Sequence, residues 1–423
     1  MATATLEKQK KEKKQKDPKR HLKRLCVFLA ICVLIAAVGT LSTVITLNNN
    51  LSFADTVRKV NYENQLVPTL DETGCYTFTT DGEFKIMQLT DIHFGGGWMS
   101  AGRDKKTINC IAALVTAEKP DLVIATGDIA YPVPFQAGTF NNKSGAKLFA
   151  QTMEALGVYW TLCFGNHDTE AYSYFDREAI SEFYEQGFEY CLFQAGPEDI
   201  NGYGNQCIKV KNTKGEIVQA LVTLDSGSYT DGDILGIKWD YDNVHSDQIQ
   251  WYADQITACN AENEKLGADD VKSLVFLHIP FEEYKFAWEE YKNNGHQDTE
   301  NVKWYSGKAG ESDEGIYNSK YENELFETML ELGAQAAFCG HDHLNCFSVD
   351  YKGIRLNYGY SIDYLAYDMT HSISKMGSQR GCTMITVAPD TTCDIEYKNY
   401  YEGNYPSVTD LPKEEVTMQW DAE

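Results

Sequence analysis

"FCGHDHLNCF" (residues 338–347) contains two of the chain's nine histidines, His341 and His343, two positions apart. The stretch ends the largely apolar run "AQAAFC" and has a glycine before the first histidine. In an extended strand, side chains at positions i and i+2 lie on the same face, so both imidazoles can reach a common centre at the strand end. Because imidazole gains little from burial, the pattern predicts a polar site at the end of a buried strand.

Other polar side chains follow apolar runs in the same way. From residue 84 the sequence alternates short apolar runs with amphipathic helical segments, which predicts an α/β sandwich. Carboxyl ends of parallel strands meet at one edge of a sheet, so we expect the clusters to share one site. Taken singly, "DIH" and "GD" are typical of turns and His278 of a buried core histidine, whereas "GNHD" is more specific. The clusters are Asp91 with His93 after "FKIMQLT", Asp128 after "LVIAT", Asn166, His167 and Asp168 after "VYWTLCF", and His278 after "SLVFL".

The N-terminal residues have the charge pattern of a membrane anchor. Residues 1–24 are rich in Lys and Arg, whereas residues 25–47 contain no charged side chain. At about 1.5 Å per residue, the apolar run makes a helix of roughly 35 Å, enough to cross a hydrocarbon core of about 30 Å. We predict a basic cytoplasmic tail, a single transmembrane signal-anchor and an extracytoplasmic remainder. A cleaved signal peptide and a buried soluble helix are the alternatives.

The rest of the chain divides by composition. Residues 48–83 are polar, which predicts a stalk with an edge strand. We expect a catalytic domain over residues 84–400 and an acidic tail over residues 401–423. The net charge of −25 repels polyanions and attracts divalent cations, so we expect no nucleic-acid partner. The cysteines beyond the anchor form no CxxC pair. Disulfides and buried free thiols therefore both stay open.

The ordered set of motifs resembles the calcineurin-like metallophosphoesterase superfamily. The motifs are "DIH" (91–93), "GD" (127–128), "GNHD" (165–168), "VFLH" (275–278) and "GHDH" (340–343). "GDIAY" (127–131) and "VFLH" are similar to the purple acid phosphatase branch, which usually lacks the histidine found here as His93. The resemblance implies a four-layer αββα sandwich of two mixed sheets, an α/β (α+β) fold, here preceded by a transmembrane helix.

The resemblance also implies a dinuclear metal site. It assigns Asp128 as the bridge, with Asp91, His93 and His343 on the first ion and Asn166, His278 and His341 on the second. Oxygen ligands mixed with four imidazoles favour Mn, Fe or Zn over Ca or Mg. Two such ions can lower the pKa of a bridging water toward about 7, which makes a metal-bridging hydroxide the expected nucleophile.

His167 is the remaining motif histidine, and we expect it to protonate the leaving alkoxide while Asp168 orients its imidazole. Tyr131 is interpreted as a packing residue or a neighbour of the first ion. Weaker candidates for the rim of the site are Asn345 and "LDSGSY" (224–229), and the tyrosines of 357–368 are interpreted as packing residues.

The predicted function is a membrane-anchored dinuclear-metal phosphoesterase that hydrolyses small phosphate monoesters. The same centre also serves phosphodiesterases and nucleotidases, which are the main alternative. A degenerate member acting as a surface binding module is the alternative outside enzymology.

Overall fold

The computed structural model describes residues 18–230, 240–310, 315–367 and 379–414. Most of the predicted basic tail and the end of the predicted acidic tail lie outside these residues. The helices are α1 (Pro18–Ala54), α2 (Ala101–Glu118), α3 (Asn142–Leu156), α4 (Arg177–Tyr184), α5 (Ser246–Leu266), α6 (Glu282–Asn293) and α7 (Leu325–Glu331). The strands are β1 (Thr69–Leu70), β2 (Tyr76–Thr79), β3 (Phe84–Leu89), β4 (Leu122–Thr126), β5 (Tyr159–Cys163), β6 (Gln206–Lys211), β7 (Ile217–Thr223), β8 (Ser273–Phe276), β9 (Val302–Lys308), β10 (Ala336–Cys339), β11 (Cys346–Tyr351), β12 (Ile354–Tyr358), β13 (Gly381–Val387) and β14 (Cys393–Asn399).

The described strands form two mixed sheets. One has nine strands in the order β1-β2-β6-β7-β8-β10-β12-β11-β9, and the other has five in the order β14-β13-β3-β4-β5. β3, β4 and β5 are mutually parallel, as are β7, β8, β10 and β12. The remaining pairings are antiparallel hairpins and edges, apart from the parallel pair of β2 and β6.

The two sheets pack face to face between layers of helices. Ile86 and Ile124 on the five-stranded sheet share an apolar cluster with Phe276 and Phe338 on the nine-stranded sheet. Met87, the neighbour of Ile86, points the other way and packs with residues of α2 and α3. Helices α5, α6 and α7 cover the outer face of the larger sheet. The alternation of burial along each strand thus produces the predicted four-layer αββα sandwich, which is confirmed.

Helix α1 extends beyond the predicted membrane span. Its side chains are exposed from Leu22 to Val38, and then the helix packs on the domain as far as Ala54, which is fully buried. The Asn50 amide donates to the carbonyl of Ala101 (3.1 Å), and Val60 donates its N–H to the carbonyl of Leu156 (2.8 Å). Part of the segment expected to be a stalk is therefore an integral element of the domain.

Two elements between residues 279 and 310 were not predicted from the sequence. α6 has alternating acidic and aromatic residues that give no clean apolar stripe, and only Glu283, Tyr284 and Ala287 of this helix are buried. β9 is largely exposed beyond Val302. Edge strands and helices with few buried positions carry a weak periodic signal, because little of their surface faces the core.

Candidate metal centre

Four of the predicted residues meet at the carboxyl ends of β3, β4 and β10. Ligand atoms of Asp91, His93, Asp128 and His343 all lie within 4.8 Å of one another, and the four residues are buried. His93 Nε2 is 3.3 Å from Asp128 Oδ2, and His343 Nε2 is 3.6 Å from Asp91 Oδ1. These strands belong to different sheets, so the cluster forms where the two sheets meet.

A second group adjoins the first across Asp128. Asn166 Oδ1 is 3.1 Å from His278 Nε2 and 2.9 Å from His341 Nδ1. His278 Nε2 is in turn 3.2 Å from Asp128 Oδ2. One carboxylate oxygen of Asp128 thus faces an imidazole nitrogen of each group.

The backbone at these positions is strained in a consistent way. Asp91, His93, Asp128 and His341 have positive φ values of 48°, 52°, 53° and 82°. Left-handed backbone is uncommon outside glycine and often marks functional sites. It turns each residue out of the direction of its strand, and at His341 it bends the chain within the "GHDH" motif.

Glycines of the motifs permit close approach of the loops. A Cβ on Gly165 would lie 2.2 Å from Asp128 Oδ1, and one on Gly340 would lie 1.9 Å from Thr90 Oγ1. No side chain fits at such distances. The glycines in "GNHD" and "GHDH" therefore let the motif loops pack directly on the carboxylates.

The two acidic residues of the centre differ electrostatically. Burial is the largest effect on the Asp91 carboxyl and raises its pKa to about 6. Burial acts in the same direction on Asp128, but the neighbouring His278 and His167 hold its pKa well below the usual range. Asp128 is therefore the carboxylate that stays ionised between the two groups.

The imidazoles differ as well. For His93, burial lowers the pKa, but Asp363 and Asp128 outweigh it and raise the pKa to about 10. For His278, Asp128 likewise outweighs burial and raises the pKa to about 9. Burial lowers the pKa of His343 to about 3. Two protonated imidazoles thus balance buried carboxylates, and a bound cation would replace those protons.

The donor set fits two cations. His278 Nδ1 lies 2.8 Å from the carbonyl of Thr126, which makes Nδ1 the donor, so a cation that replaced the proton on Nε2 would meet a lone pair directed toward Asp128 and Asn166. Ligand atoms about 2.0–2.2 Å from one ion are separated by about 3 Å, close to the spacings within both groups. Carboxylate, amide and imidazole donors are the ligand types that Mn, Fe and Zn accept.

Comparison with known proteins identifies the family. The sequence profile described as "Calcineurin-like phosphoesterase" matches residues 84–345. The chain belongs to the calcineurin-like phosphoesterase family. This confirms the resemblance that the five motifs carry.

The relatives of this chain include plant proteins named for purple acid phosphatases. It is 27% identical over 317 residues to "Probable inactive purple acid phosphatase 28" of Arabidopsis thaliana, which covers 69% of this chain and 73% of the relative. "Probable inactive purple acid phosphatase 14" of the same plant is 29% identical, with the same coverage. "Phosphatase DCR2" of Saccharomyces cerevisiae is 29% identical over 63% of this chain and 45% of its own. A solved dimetal phosphatase from Danio rerio covers 75% of this chain and 96% of its own, with 12% identity and a TM-score of 0.48.

The acidic neighbour of His167 is Glu170. His167 Nδ1 lies 2.7 Å from Glu170 Oε1, and the Tyr229 hydroxyl donates to the same oxygen at 3.2 Å. Asp168, which we expected at this imidazole, instead accepts hydrogen bonds from the N–H groups of Gly165 (2.8 Å), Ala130 (2.8 Å) and Asp128 (3.0 Å). A carboxylate next to His167 in sequence points to the opposite side of this turn, whereas one three residues later reaches the ring.

Asp168 and Arg177 hold the "GNHD" turn in place. Arg177 forms an ion pair with the buried carboxylate of Asp225 and donates to the carbonyl of Gly165 at 2.9 Å. Asp225 belongs to the "LDSGSY" segment, and Tyr229 of that segment accepts a hydrogen bond from the Asn166 amide at 3.0 Å. The segment proposed as part of the rim therefore supports the second group.

The other candidates for neighbours of the site are placed as follows. The Tyr131 ring lies 4.8 Å from that of His93, and its hydroxyl donates to Gln136 Oε1 at 3.1 Å. Asn345 is fully buried and donates to the carbonyl of Gly315. Among the tyrosines of 357–368, Tyr358 is buried in the apolar cluster between the nine-stranded sheet and helices α5, α6 and α7. The Tyr367 ring lies 4.4 Å from that of His343.

Asp363 is, with Glu170, a site residue that was not predicted from the sequence. Its Oδ1 lies 3.3 Å from His93 Nδ1, and its Oδ2 lies 3.7 Å from His343 Nδ1, on the ring sides opposite the metal-facing nitrogens. Backbone N–H groups of Leu365 (2.7 Å), Ala366 (2.8 Å) and Tyr367 (2.6 Å) fix the carboxylate. The available signal was position: "SID" follows the carboxyl end of β12, which is parallel to β10.

We predict that Asp363→Asn weakens metal binding. An amide is uncharged and has one oxygen, so it cannot face both ring nitrogens as the two carboxylate oxygens of Asp363 do, and His93 and His343 are held less firmly. Loss of such a partner typically costs about 10–100-fold in metal affinity. Titration with a competing chelator should show one ion released earlier than in the wild type.

The matched control is Asp390→Asn, which changes an exposed carboxylate in the turn between β13 and β14. It should leave both affinities unchanged. Wild-type affinity for both ions in Asp363→Asn would contradict the orienting role.

Proposed function

We propose that this chain is a membrane-anchored dinuclear-metal phosphoesterase that hydrolyses phosphate monoesters. The observation that carries the proposal is the position of Asp128 Oδ2, 3.3 Å from His93 Nε2 and 3.2 Å from His278 Nε2. A single carboxylate between two complementary donor groups is what a pair of ions requires. Seven residues at five strand ends, far apart in sequence, supply those groups.

The protein's own residues divide the remaining work. Bound ions supply positive charge that polarises phosphoryl oxygens and acidifies water. His167 is the more exposed imidazole, with a side chain 18% accessible against 0% for His93 and His278. Glu170 holds its Nδ1, so that Nε2 faces the mouth of the site and delivers a proton to the leaving oxygen. Asp168 acts through the backbone by fixing the turn that carries Asn166 and His167.

The names of the relatives favour a phosphatase over a phosphodiesterase. The yeast relative is named a phosphatase, and the plant relatives are named for purple acid phosphatases, with the qualifier "probable inactive". In this chain all seven predicted metal-binding residues lie in the two adjoining groups around Asp128. That arrangement favours an enzyme over the alternative of a degenerate binding module.

Membrane anchoring is supported by α1. The helix is long and apolar enough to cross a membrane, and its most apolar part is not buried against the domain. The same helix continues into buried contacts at Asn50 and Ala54, so the anchor and domain form one element. Basic residues before the span favour a cytoplasmic N-terminus and an extracytoplasmic domain.

The test is an assay of the purified full chain in detergent against a monoester, a diester and a nucleotide. We expect the fastest turnover on the monoester, and complete loss after chelation that Mn, Fe or Zn reverses. A preference for the diester or the nucleotide would favour the alternative substrates. Chelator-insensitive protein that is inactive on all three would support the binding module.

A further inference from the structure

A patch of exposed aromatic and apolar side chains surrounds helix α1 where the helix meets the domain. This aromatic rim consists of Trp98, Met99, Phe135, Phe140, Tyr172 and Tyr174, with exposed fractions of 49%, 42%, 86%, 39%, 41% and 67%. Soluble surfaces seldom group so many large apolar side chains. A cavity of about 330 Å³ lies between the rim and α1, lined by Ala36, Thr40 and Val44 on the helix side.

The position of the rim along α1 sets its depth. From Leu25 to Val38 every side chain of α1 is uncharged and exposed. At about 1.5 Å per residue this stretch is about 21 Å long, which is shorter than a hydrocarbon core of about 30 Å. The following residues, which complete the apolar run, are the ones that face the rim. Thr43 Oγ1 donates to the carbonyl of Gly138 at 3.4 Å within this contact. A membrane crossed by α1 therefore reaches the level of the rim.

The composition of the rim suits that depth. Trp and Tyr concentrate at the boundary between the hydrocarbon core and water, because their rings are apolar at one end and polar at the other. Trp98 lies over Gly138, where an added Cβ would be 2.7 Å from its Nε1. Phe140 contacts Tyr172 and Tyr174 with ring centroids 6.2 and 6.1 Å apart. Trp98, Met99, Phe140 and Tyr174 line one cavity, Tyr172 packs on Phe140, and Phe135 follows Pro134, which also lines that cavity.

The catalytic end of the domain faces the same way. α3 begins next to the rim, and its last residue, Leu156, accepts a hydrogen bond from Val60 beyond the end of α1, so α3 runs away from the rim. α3 connects the parallel strands β4 and β5, which run in the opposite direction to it. Their carboxyl ends, which carry the metal centre, therefore return toward the rim. Asn142, the first residue of α3, donates to the carbonyl of Asp168 at 2.8 Å.

The rim and the centre also share loops. Tyr131, whose ring is 4.9 Å from that of His167, precedes Phe135 by four positions. His167 precedes Tyr172 by five. At a maximum of about 3.5 Å per residue, these loops place the rim within about 14–18 Å of the site.

We propose that the aromatic rim inserts into the interface of the membrane that α1 crosses, and that the substrate is the phosphate ester of a lipid in that membrane. This inference rests on the proposed function. The loops after Asp128 and His167 hold the metal centre close to the bilayer surface. A lipid there can bind the centre through its phosphate while its acyl chain stays in the hydrocarbon core. The occupant of the rim is the bilayer itself, because the cavity beneath the rim is continuous with the membrane-spanning residues of α1.

The test uses the full chain in phosphatidylcholine vesicles with two substrates, hexadecyl phosphate in the bilayer and 4-nitrophenyl phosphate in water. The double variant Phe135→Ser/Tyr174→Ser should lose about tenfold or more in kcat/KM on hexadecyl phosphate, since each aromatic ring removed from an apolar phase costs about a factor of ten in partitioning. Its kcat/KM on 4-nitrophenyl phosphate should equal that of the wild type. The matched control, Phe286→Ser on α6, removes a ring that is 41% exposed and should change neither.

A second measurement reports the rim without catalysis. Brominated phosphatidylcholine should quench part of the tryptophan fluorescence of the wild type, and Trp98→Phe should abolish that part. Equal losses on both substrates, or no loss on hexadecyl phosphate together with no quenching, would overturn the inference while leaving the proposed function intact. Inactivity of the wild type on both substrates would overturn the proposed function, and quenching would then still decide whether the rim meets the membrane.

Discussion

Asp128→Asn abolishes both metal binding and hydrolysis in this account. The substitution removes the negative charge that faces an imidazole of each group, while the neutral amide keeps nearly the same shape. We expect neither ion to be retained and kcat/KM to fall by on the order of a thousandfold or more, which corresponds to a loss of about 4 kcal/mol in transition-state stabilisation. Elemental analysis and phosphate release on the same preparation measure the two effects.

Asp104→Asn is the control for removing the charge of a buried carboxylate. Asp104 is also buried and accepts hydrogen bonds from Gly95 (2.9 Å), Gly96 (3.1 Å) and Ser100 (2.8 Å), but it lies outside both metal-facing groups. This variant should keep its metals. Two ions per chain in Asp128→Asn would contradict the shared position of Asp128.

His167→Ala should separate proton transfer from metal binding. The imidazole is oriented by Glu170 and carries no predicted ligand atom, so both ions should remain bound. Loss of a general acid typically costs about 10²–10⁴-fold in rate. The loss should be larger for an alkyl phosphate than for 4-nitrophenyl phosphate, because nitrophenolate leaves without needing a proton.

Glu170→Gln should show the same dependence on the leaving group with a smaller loss, since the ring keeps a hydrogen-bond partner but loses the charge. The matched control for His167→Ala is His245→Ala, because the His245 imidazole also pairs with a carboxylate three residues away, that of Asp242, at 3.1 Å. Simultaneous loss of metal in His167→Ala would move this residue into the coordination sphere, and equal losses for both substrates would exclude its role as the acid.

The convergence of the motifs was predictable because it depends on local chemistry. Each of Asp91, Asp128 and His278 follows an apolar run of strand length, and parallel strands bring their carboxyl ends together whatever the connections between them. The two-sheet sandwich followed from the resemblance, since the alternation of strands and helices alone does not say how many sheets form.

The missed residues depend on geometry that the sequence does not show. Glu170 reaches the ring of His167 because the chain turns back after His167. Asp168 instead accepts hydrogen bonds from backbone N–H groups. Asp363 comes five positions after β12, beyond the reach of a rule that examines only the residues next to a strand. The packing of α1 on the domain beyond Val38 was not predictable for a different reason. A helix that crosses a membrane and then packs on a domain is apolar in both parts, so the composition does not change where one part ends and the other begins.

The central claim is that two ions lie between the seven residues around Asp128. Anomalous diffraction from crystals of the full chain loaded with Mn, Fe or Zn tests it most directly. We expect two peaks, one among Asp91, His93 and His343 and one among Asn166, His278 and His341, with Asp128 between them. A single peak, or ions bound only elsewhere on the protein, would contradict it.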